Sequence, residues 1–474
     1  MSIKYFGYIA ILSIISFIYI DYLAISSFGF LASFFLFFIC IFISIKNLSF
    51  GILILIFYSI TILEFPRDIL DVYDALQLTN EMSYDVLNTI KIGPFTLLVY
   101  LFYFNTALAL FKMNFKIKNS AILFIILGLM LFIALSMTLI TLLNEGKVNF
   151  PSLIITNSKW FQFILIGYII GSYLYKHKQI AKFIDWFYLL PIFFGLRNAF
   201  FIINDFVSGT YKLDLMNQPY LSLIVLAYII LKKDWGIYNN YFYRALLFIS
   251  LLSFSRGVFI IMAIVFFLAI FITFYKKIKF NILFISNIIV LFSIPIIAIY
   301  FFNERLFDFL LWKINIFNEL ISSDVELSGS GKVRIIEMQN ILHIFSESIH
   351  NLLFGKGFFA TYDFQAYPLN NVGIIDLKSF SQDQLSSGVY YSTHSFISST
   401  ILKYGLIGLI FYTTIPLYVS YKFYIQKQHL IMVLIPLILI PSYFWRIEYM
   451  LLIGILYSFI ERNKNEIQLN NNSI

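Results

Sequence analysis

The chain reads as an all-α integral membrane protein of about fourteen transmembrane helices, with twelve as the lower bound, and one large, partly helical extracytoplasmic loop. Three observations predict this. Hydrophobic residues make up 60% and charged residues 12% of the 474 positions, and the mean hydropathy is +0.86. A soluble core cannot hide that much apolar surface and still leave a polar exterior. Apolar runs of roughly 17 to 25 residues recur along the chain, the length a helix needs to cross a bilayer, whereas barrel strands would give short alternating segments. Lysines, finally, collect at every second connection between the runs.

Hydropathy places the spans at 5–20, 26–45, 49–65, 93–111, 120–143, 159–175, 184–204, 218–231, 242–254, 257–275, 280–302, 395–421, 429–443 and 447–460. The first follows Lys4, lacks a small-residue cleavage site and runs straight into more apolar sequence, so it reads as a retained span and not a signal peptide. With Lys4 inside, the basic connections are those around Lys46, Lys112–Lys118, Lys176–Lys182, Lys232–Lys233, Lys276–Lys279, Lys422–Lys427 and Arg462–Lys464. The positive-inside bias then puts both termini in the cytoplasm. It puts the acidic segment 66–92 and the one long polar segment, 303–394, on the opposite face. Three regions follow: membrane helices over 1–302, the loop over 303–394, and the last helices with a short cytoplasmic tail over 395–474.

The same distribution accounts for the net charge of +8. Basic residues scattered between spans orient a membrane protein and do not form a nucleic-acid surface. Cys40 is the only cysteine, which excludes a disulfide framework and a thiolate metal site.

Two stretches of the loop carry helical periodicity. Phe307, Leu310, Leu311, Ile314, Phe317 and Ile321 form one stripe, which predicts a helix along the membrane surface. After Ser328-Gly-Ser-Gly331, residues Met338, Ile341, Leu342, Phe345, Ile349 and Leu352 form a second. Arg334 falls on that second stripe, so its guanidinium is expected to point inward from the first turn. Gly355-Lys-Gly357 ends this helix, and 361–393 reads as a polar loop rich in Tyr, Asn and Ser.

The chemistry-bearing residues are cations. Gly329-Ser-Gly-Lys332 lacks the spacing of a phosphate loop, and no H-E-x-x-H, G-x-S-x-G or D-x-D pair occurs. The acidic cluster Asp68, Asp71 and Asp74 reads as solvated loop. Arg197 lies inside span 184–204, about 10 Å from its outer end at 1.5 Å per residue, where an ionised group usually faces a polar cavity. Arg256 follows Ser253-Phe-Ser255 where two spans meet, Arg334 opens the loop helix, and His394 opens span 395–421. Each fits an anchoring role taken singly, by snorkelling, by pairing with Glu337 or Glu326, or by satisfying helix carbonyls. Taken together, four cations in one leaflet without a matching set of carboxylates call for an external anion.

His394-Ser395, nine residues, then Gly405-x-x-Gly408 resembles the histidine motif of bacterial O-antigen ligases, which O-antigen polymerases carry in looser form. Ser255-Arg-Gly257 resembles the arginine motif of that superfamily, and Arg334 ahead of Gly355-Lys-Gly-Phe358 resembles its second arginine. The likeness covers roughly 234–424, and Arg197 is carried over on position alone. What it implies is a GT-C-like fold in the bacterial inner membrane, with a glycan transferred from undecaprenyl diphosphate on the periplasmic side. Arg197, Arg256 and Arg334 would hold the diphosphate, and His394 would act as base, with no metal and no cofactor. The expected partners are a carrier-linked oligosaccharide, the bilayer and a chain-length regulator. The Tyr/Asn/Ser-rich loop and the high Phe and Ile content resemble the polymerases; the close histidine motif resembles the ligases. A polysaccharide transporter, the third reading, lacks the expected internal repeat and short connections.

Overall fold

A computed structural model describes residues 27–61, 90–93, 95–115, 121–145, 153–208, 219–232, 235–251, 330–346, 348–368, 382–391, 393, 395–426, 430–440 and 447–460. In chain order these form α1 (Ser27–Lys46), α2 (Leu48–Thr61), a two-stranded antiparallel hairpin (Lys91–Ile92 with Phe95–Thr96), α3 (Leu97–Lys112), α4 (Ala121–Glu145), α5 (Leu153–Lys176), α6 (Ile180–Ser208), α7 (Pro219–Lys232) and α8 (Tyr241–Leu251). The loop contributes α9 (Ser330–Ser346), α10 (Ile349–Phe354) and α11 (Gln382–Ser387); α12 (Phe396–Ile425), α13 (Leu430–Leu439) and α14 (Ile447–Ile460) follow.

Each predicted span from 26–45 to 242–254, and each after residue 395, coincides with one of these helices. Spans 5–20, 257–275 and 280–302, and the amphipathic stretch 307–321, lie outside the described residues. By length and composition α4, α5 and α12 are apolar enough to cross a membrane, and several shorter apolar helices accompany them. The protein is a multi-pass, mainly helical membrane protein.

Close approaches fix the relative directions of the helices. In α5 and α14 the register rises together, since Gly167 lies against the Leu451 backbone and Gly171 against Ile455 and Ser458. The pair is therefore parallel, and Gly167, Gly171 and Gly454 let the backbones touch as small residues do in membrane bundles. Helices α6 and α8 are parallel by the same logic: Gly195 abuts Leu246, and Asn198 Nδ2 donates to the Ile249 carbonyl at 3.2 Å. Helices α12 and α13 are antiparallel, with Ser420 Oγ donating to the Val433 carbonyl at 2.5 Å and Tyr412 OH to that of Ile440 at 3.3 Å. Helix α12 follows α14, as Tyr418 stacks on Tyr457 and Gln426 reaches the Ile460 carbonyl, while α6 begins beside the end of α14 through Phe183 and Phe459. An alternating threading of the predicted spans gives these same directions. The ends of α6 and α8 therefore share one side of the bundle with the beginnings of α5 and α14, and the loop helices attach there.

Candidate active site

The attachment point is a sharp corner inside α12. Gly405 sits at φ 67° and ψ −169°, outside helical geometry. A straight helix would separate residues 396 and 412 by about 24 Å, yet the Phe396 and Tyr412 rings stack at 6.2 Å. The arm 396–404 therefore folds back beside the arm 406–425. This corrects the expectation of one continuous span over 395–421; the second arm alone, at 1.5 Å per residue, has about the 30 Å needed to cross. In sequence His394 precedes the short returning arm and not the longer one.

A broken helix leaves carbonyls without their usual donors. Here the loop supplies them: Lys356 N–H donates to the Leu402 carbonyl at 2.9 Å and Gly357 N–H to that of Lys403 at 3.0 Å. Two glycines make the approach possible. A Cβ on Gly405 would meet the backbone of Leu353 and Phe354, and one on Gly355 would meet that of Lys403 and Tyr404. Gly408 is needed for a related reason, since the Tyr404 side chain turns back onto it. On the far side the same loop is pinned to two helices. Phe358 N–H donates to Thr138 Oγ1 at 2.8 Å and Thr141 Oγ1 to the Lys356 carbonyl at 2.9 Å, both on α4. Asn157 Nδ2 of α5 donates to the Phe358 carbonyl at 2.6 Å, and Tyr404 OH closes the circuit on the Asn157 carbonyl at 3.1 Å. Gly355-Lys-Gly-Phe358 thus wedges the loop between α4, α5 and the corner of α12.

Above the wedge, α9 packs on the returning arm. Val333, Ile341 and Phe345 share one apolar cluster with Ala360, Tyr362, Tyr390, Ile401 and Leu402. The buried face also includes two polar residues, Glu337 and Asn340. Tyr362 OH donates to Glu337 Oε1 at 3.1 Å, and Asn340 exchanges hydrogen bonds with the Tyr367 backbone at 2.8 and 2.9 Å. Burial, then the neighbouring carboxylate, holds the Tyr362 phenol well above its usual range, so it remains a donor. Tyr362 and Tyr390 form a backbone bridge, and the chain then leads through buried Thr393 to Ser395, the N-cap of α12.

This arrangement keeps four residues of the predicted stripe, with Ile341 and Phe345 buried and Met338 and Leu352 packed against them, and corrects the rest. Helix α9 buries Val333, Ile336, Glu337, Asn340, Ile341 and Phe345, while Leu342, Ile349 and Arg334 are exposed. Hydrophobicity misplaced part of the face because two satisfied polar side chains, Glu337 and Asn340, share the inner face and apolar Ile335 and Leu342 lie outside. Polar residues were also expected to form plain loop over 361–393, where α11 now lies.

Of the four predicted cations, only the Arg334 side chain is described. Arg256 and His394 lie outside the described residues, as does the Arg197 side chain. What the structure shows of their carriers is two separate pairings. The helix bearing Arg334 rests on the arm that His394 precedes, and the helix bearing Arg197 packs along α8, which leads toward Arg256. Sequence reading missed Glu448, almost wholly buried at the start of α14 on the same side of the bundle, and Lys403, buried at the corner. A carboxylate opening an apolar run next to Arg446 was the available signal.

Residues 243–413 match the family model described as O-antigen ligase. No curated protein and no solved structure matches the chain. The matched stretch runs from α8 through the loop and the glycine corner into the second arm of α12, and so contains Gly355-Lys-Gly-Phe358 and the corner it docks on, while α4 and α5 lie outside it. Over this part of the chain the protein is similar to the O-antigen ligase family, a match that supports the O-antigen polymerase and ligase superfamily.

Proposed function

We propose that the protein is an O-antigen or surface-polysaccharide polymerase. In this reading it transfers the growing glycan from undecaprenyl diphosphate to the nonreducing-end sugar of a carrier-linked repeat unit, at the periplasmic face of the inner membrane. The observation that carries the reading as far as a polymerase or ligase is the family match over 243–413, and Gly405 and Gly408 of the histidine-motif resemblance lie at the corner that joins the loop to the bundle. The Tyr/Asn/Ser-rich loop supports a glycan acceptor.

The residue types suit the chemistry. The bond between the anomeric carbon and the diphosphate oxygen breaks, and the leaving diphosphate keeps the electron pair. Guanidinium groups of Arg256, Arg334 and Arg197 would give planar charge-assisted hydrogen bonds to that anion without a metal. The acceptor hydroxyl forms the new bond from the opposite face and passes its proton to the neutral imidazole of His394. One inversion per transfer follows.

The second reading is a ligase delivering finished polymer to lipid A core, favoured by the closeness of His394-Ser395-x9-Gly405-x-x-Gly408 to the ligase motif. Surface polysaccharide from a deletion strain separates the two. A single repeat unit on the core marks loss of a polymerase. Bare core with carrier-linked polymer accumulating marks loss of a ligase, and loss of lipid movement with transfer intact would mark a transporter.

A further inference from the structure

The outer surface of the loop helices is apolar where a soluble loop would be polar. Ile335 and Leu342 on α9, and Ile349 and Leu353 on α10, are 45%, 45%, 75% and 36% exposed. Helix α10 has six residues and buries none of them. So short a helix does not persist in water on its own propensity. Its anchorage at Gly355 fixes one end and leaves the apolar side chains to be covered by something else.

The neighbouring surface identifies the cover. Leu353 contacts Gly405 through its backbone, and immediately beyond the corner Leu406, Ile410 and Leu417 are exposed on the second arm of α12, a helix apolar enough to face lipid. The stripe on the loop therefore continues the lipid-facing flank of the bundle. Exposed Arg334, His343 and His350 accompany it. An apolar face with basic residues beside it is the pattern of helices seated at the boundary of headgroups and acyl chains.

We infer that α9 and α10 are docked into the membrane interface, with Ile335, Leu342, Ile349 and Leu353 in the acyl-chain boundary and Arg334 at the level of the lipid phosphates. The inference rests on the membrane assignment of the bundle and is independent of glycosyl transfer. It gives Arg334 a reason to be exposed: a carrier diphosphate arriving in the leaflet would meet it at its own depth.

The test uses the full chain with Cys40→Ala, which leaves it free of cysteine. A single cysteine replaces Leu342 or Ile349 and carries a polarity-sensitive fluorophore, in vesicles of phosphatidylethanolamine and phosphatidylglycerol. The control label replaces Leu385, an exposed apolar residue on α11, a different helix of the loop. Brominated acyl chains should quench labels at 342 and 349 strongly and aqueous iodide weakly, with the reverse at 385. Adding Ile349→Glu should raise iodide access at 342 while thermal unfolding stays cooperative. Iodide quenching at 342 and 349 equal to that at 385 would overturn the inference. So would shielding that appears only on adding polyprenyl diphosphate, which would make the stripe a carrier groove.

Discussion

Replacing Gly405 by alanine should unlock the loop from the bundle, and the size of the effect can be worked out. At φ 67° an alanine costs about 1–2 kcal/mol from Cβ strain alone. Its Cβ would also strike the backbone of Leu353 and Phe354, which cannot rotate away as a side chain would. If the corner opens to relieve the overlap, the Lys356 and Gly357 hydrogen bonds to Leu402 and Lys403 go with it. Each contributes about 0.5–1.5 kcal/mol, and the total reaches about 2–5 kcal/mol. Two glycines isolate the contributions. Gly388 also has φ 67° but open space around it, so Gly388→Ala should show only the strain. Gly128 is helical with nothing near it, and Gly128→Ala should stabilise by about 0.5–1 kcal/mol. Buried Cys40, the single thiol, reports unfolding through a thiol-reactive dye in detergent. The expected order of midpoints is Gly128→Ala above wild type, then Gly388→Ala, then Gly405→Ala. A Gly405→Ala protein as stable as Gly388→Ala would refute the docking role of the corner.

Other consequences are testable alongside it. Arg256→Ala, Arg334→Ala and His394→Ala should each lower transfer by about 10²–10³-fold with normal protein levels, and Arg334→Lys should recover little because an ammonium lacks the planar fork. Wild-type polymer from any of these variants in a chain-length gel would remove that residue from the proposed site. Tyr362→Phe strips a donor from buried Glu337 and should destabilise by about 1–3 kcal/mol, measured by the same dye assay. His177, in the turn after α5, is held below its ordinary 6.5 by burial first and then by Lys176 and Lys112. The unfolded chain thus binds the proton more readily, so the stability His177 contributes is complete above pH 6.5 and fades as pH falls through its lowered pKa. Histidine NMR should find it below 6.5, and His177→Gln should flatten that limb of the stability profile.

Much of the fold was legible because bilayer physics is simple. A helix that must cross about 30 Å of hydrocarbon announces itself by length and apolarity, as in 120–143 and 159–175, now α4 and α5. The corner was not legible. Gly405 and Gly408 carried a recognisable pattern, but only the fold-back shows that one glycine turns the chain and the other makes room for Tyr404. Nor was the orientation of Arg334, because the period of α9 was assigned by hydrophobicity. Glu337 and Asn340 are inside through partners 25 and 27 residues away, which no local pattern reveals. Glu448 went unnoticed for the same reason: burial of a carboxylate depends on helices distant in sequence.

The most direct measurement of the central claim is a reconstituted reaction. Purified protein in lipid nanodiscs receives a synthetic undecaprenyl-diphosphate-linked repeat unit, with excess chelator and no other protein. A ladder of carrier-linked glycans, abolished by Arg334→Ala and by His394→Ala, is the predicted result. No extension of the repeat unit, together with transfer to added lipid A core, would contradict it.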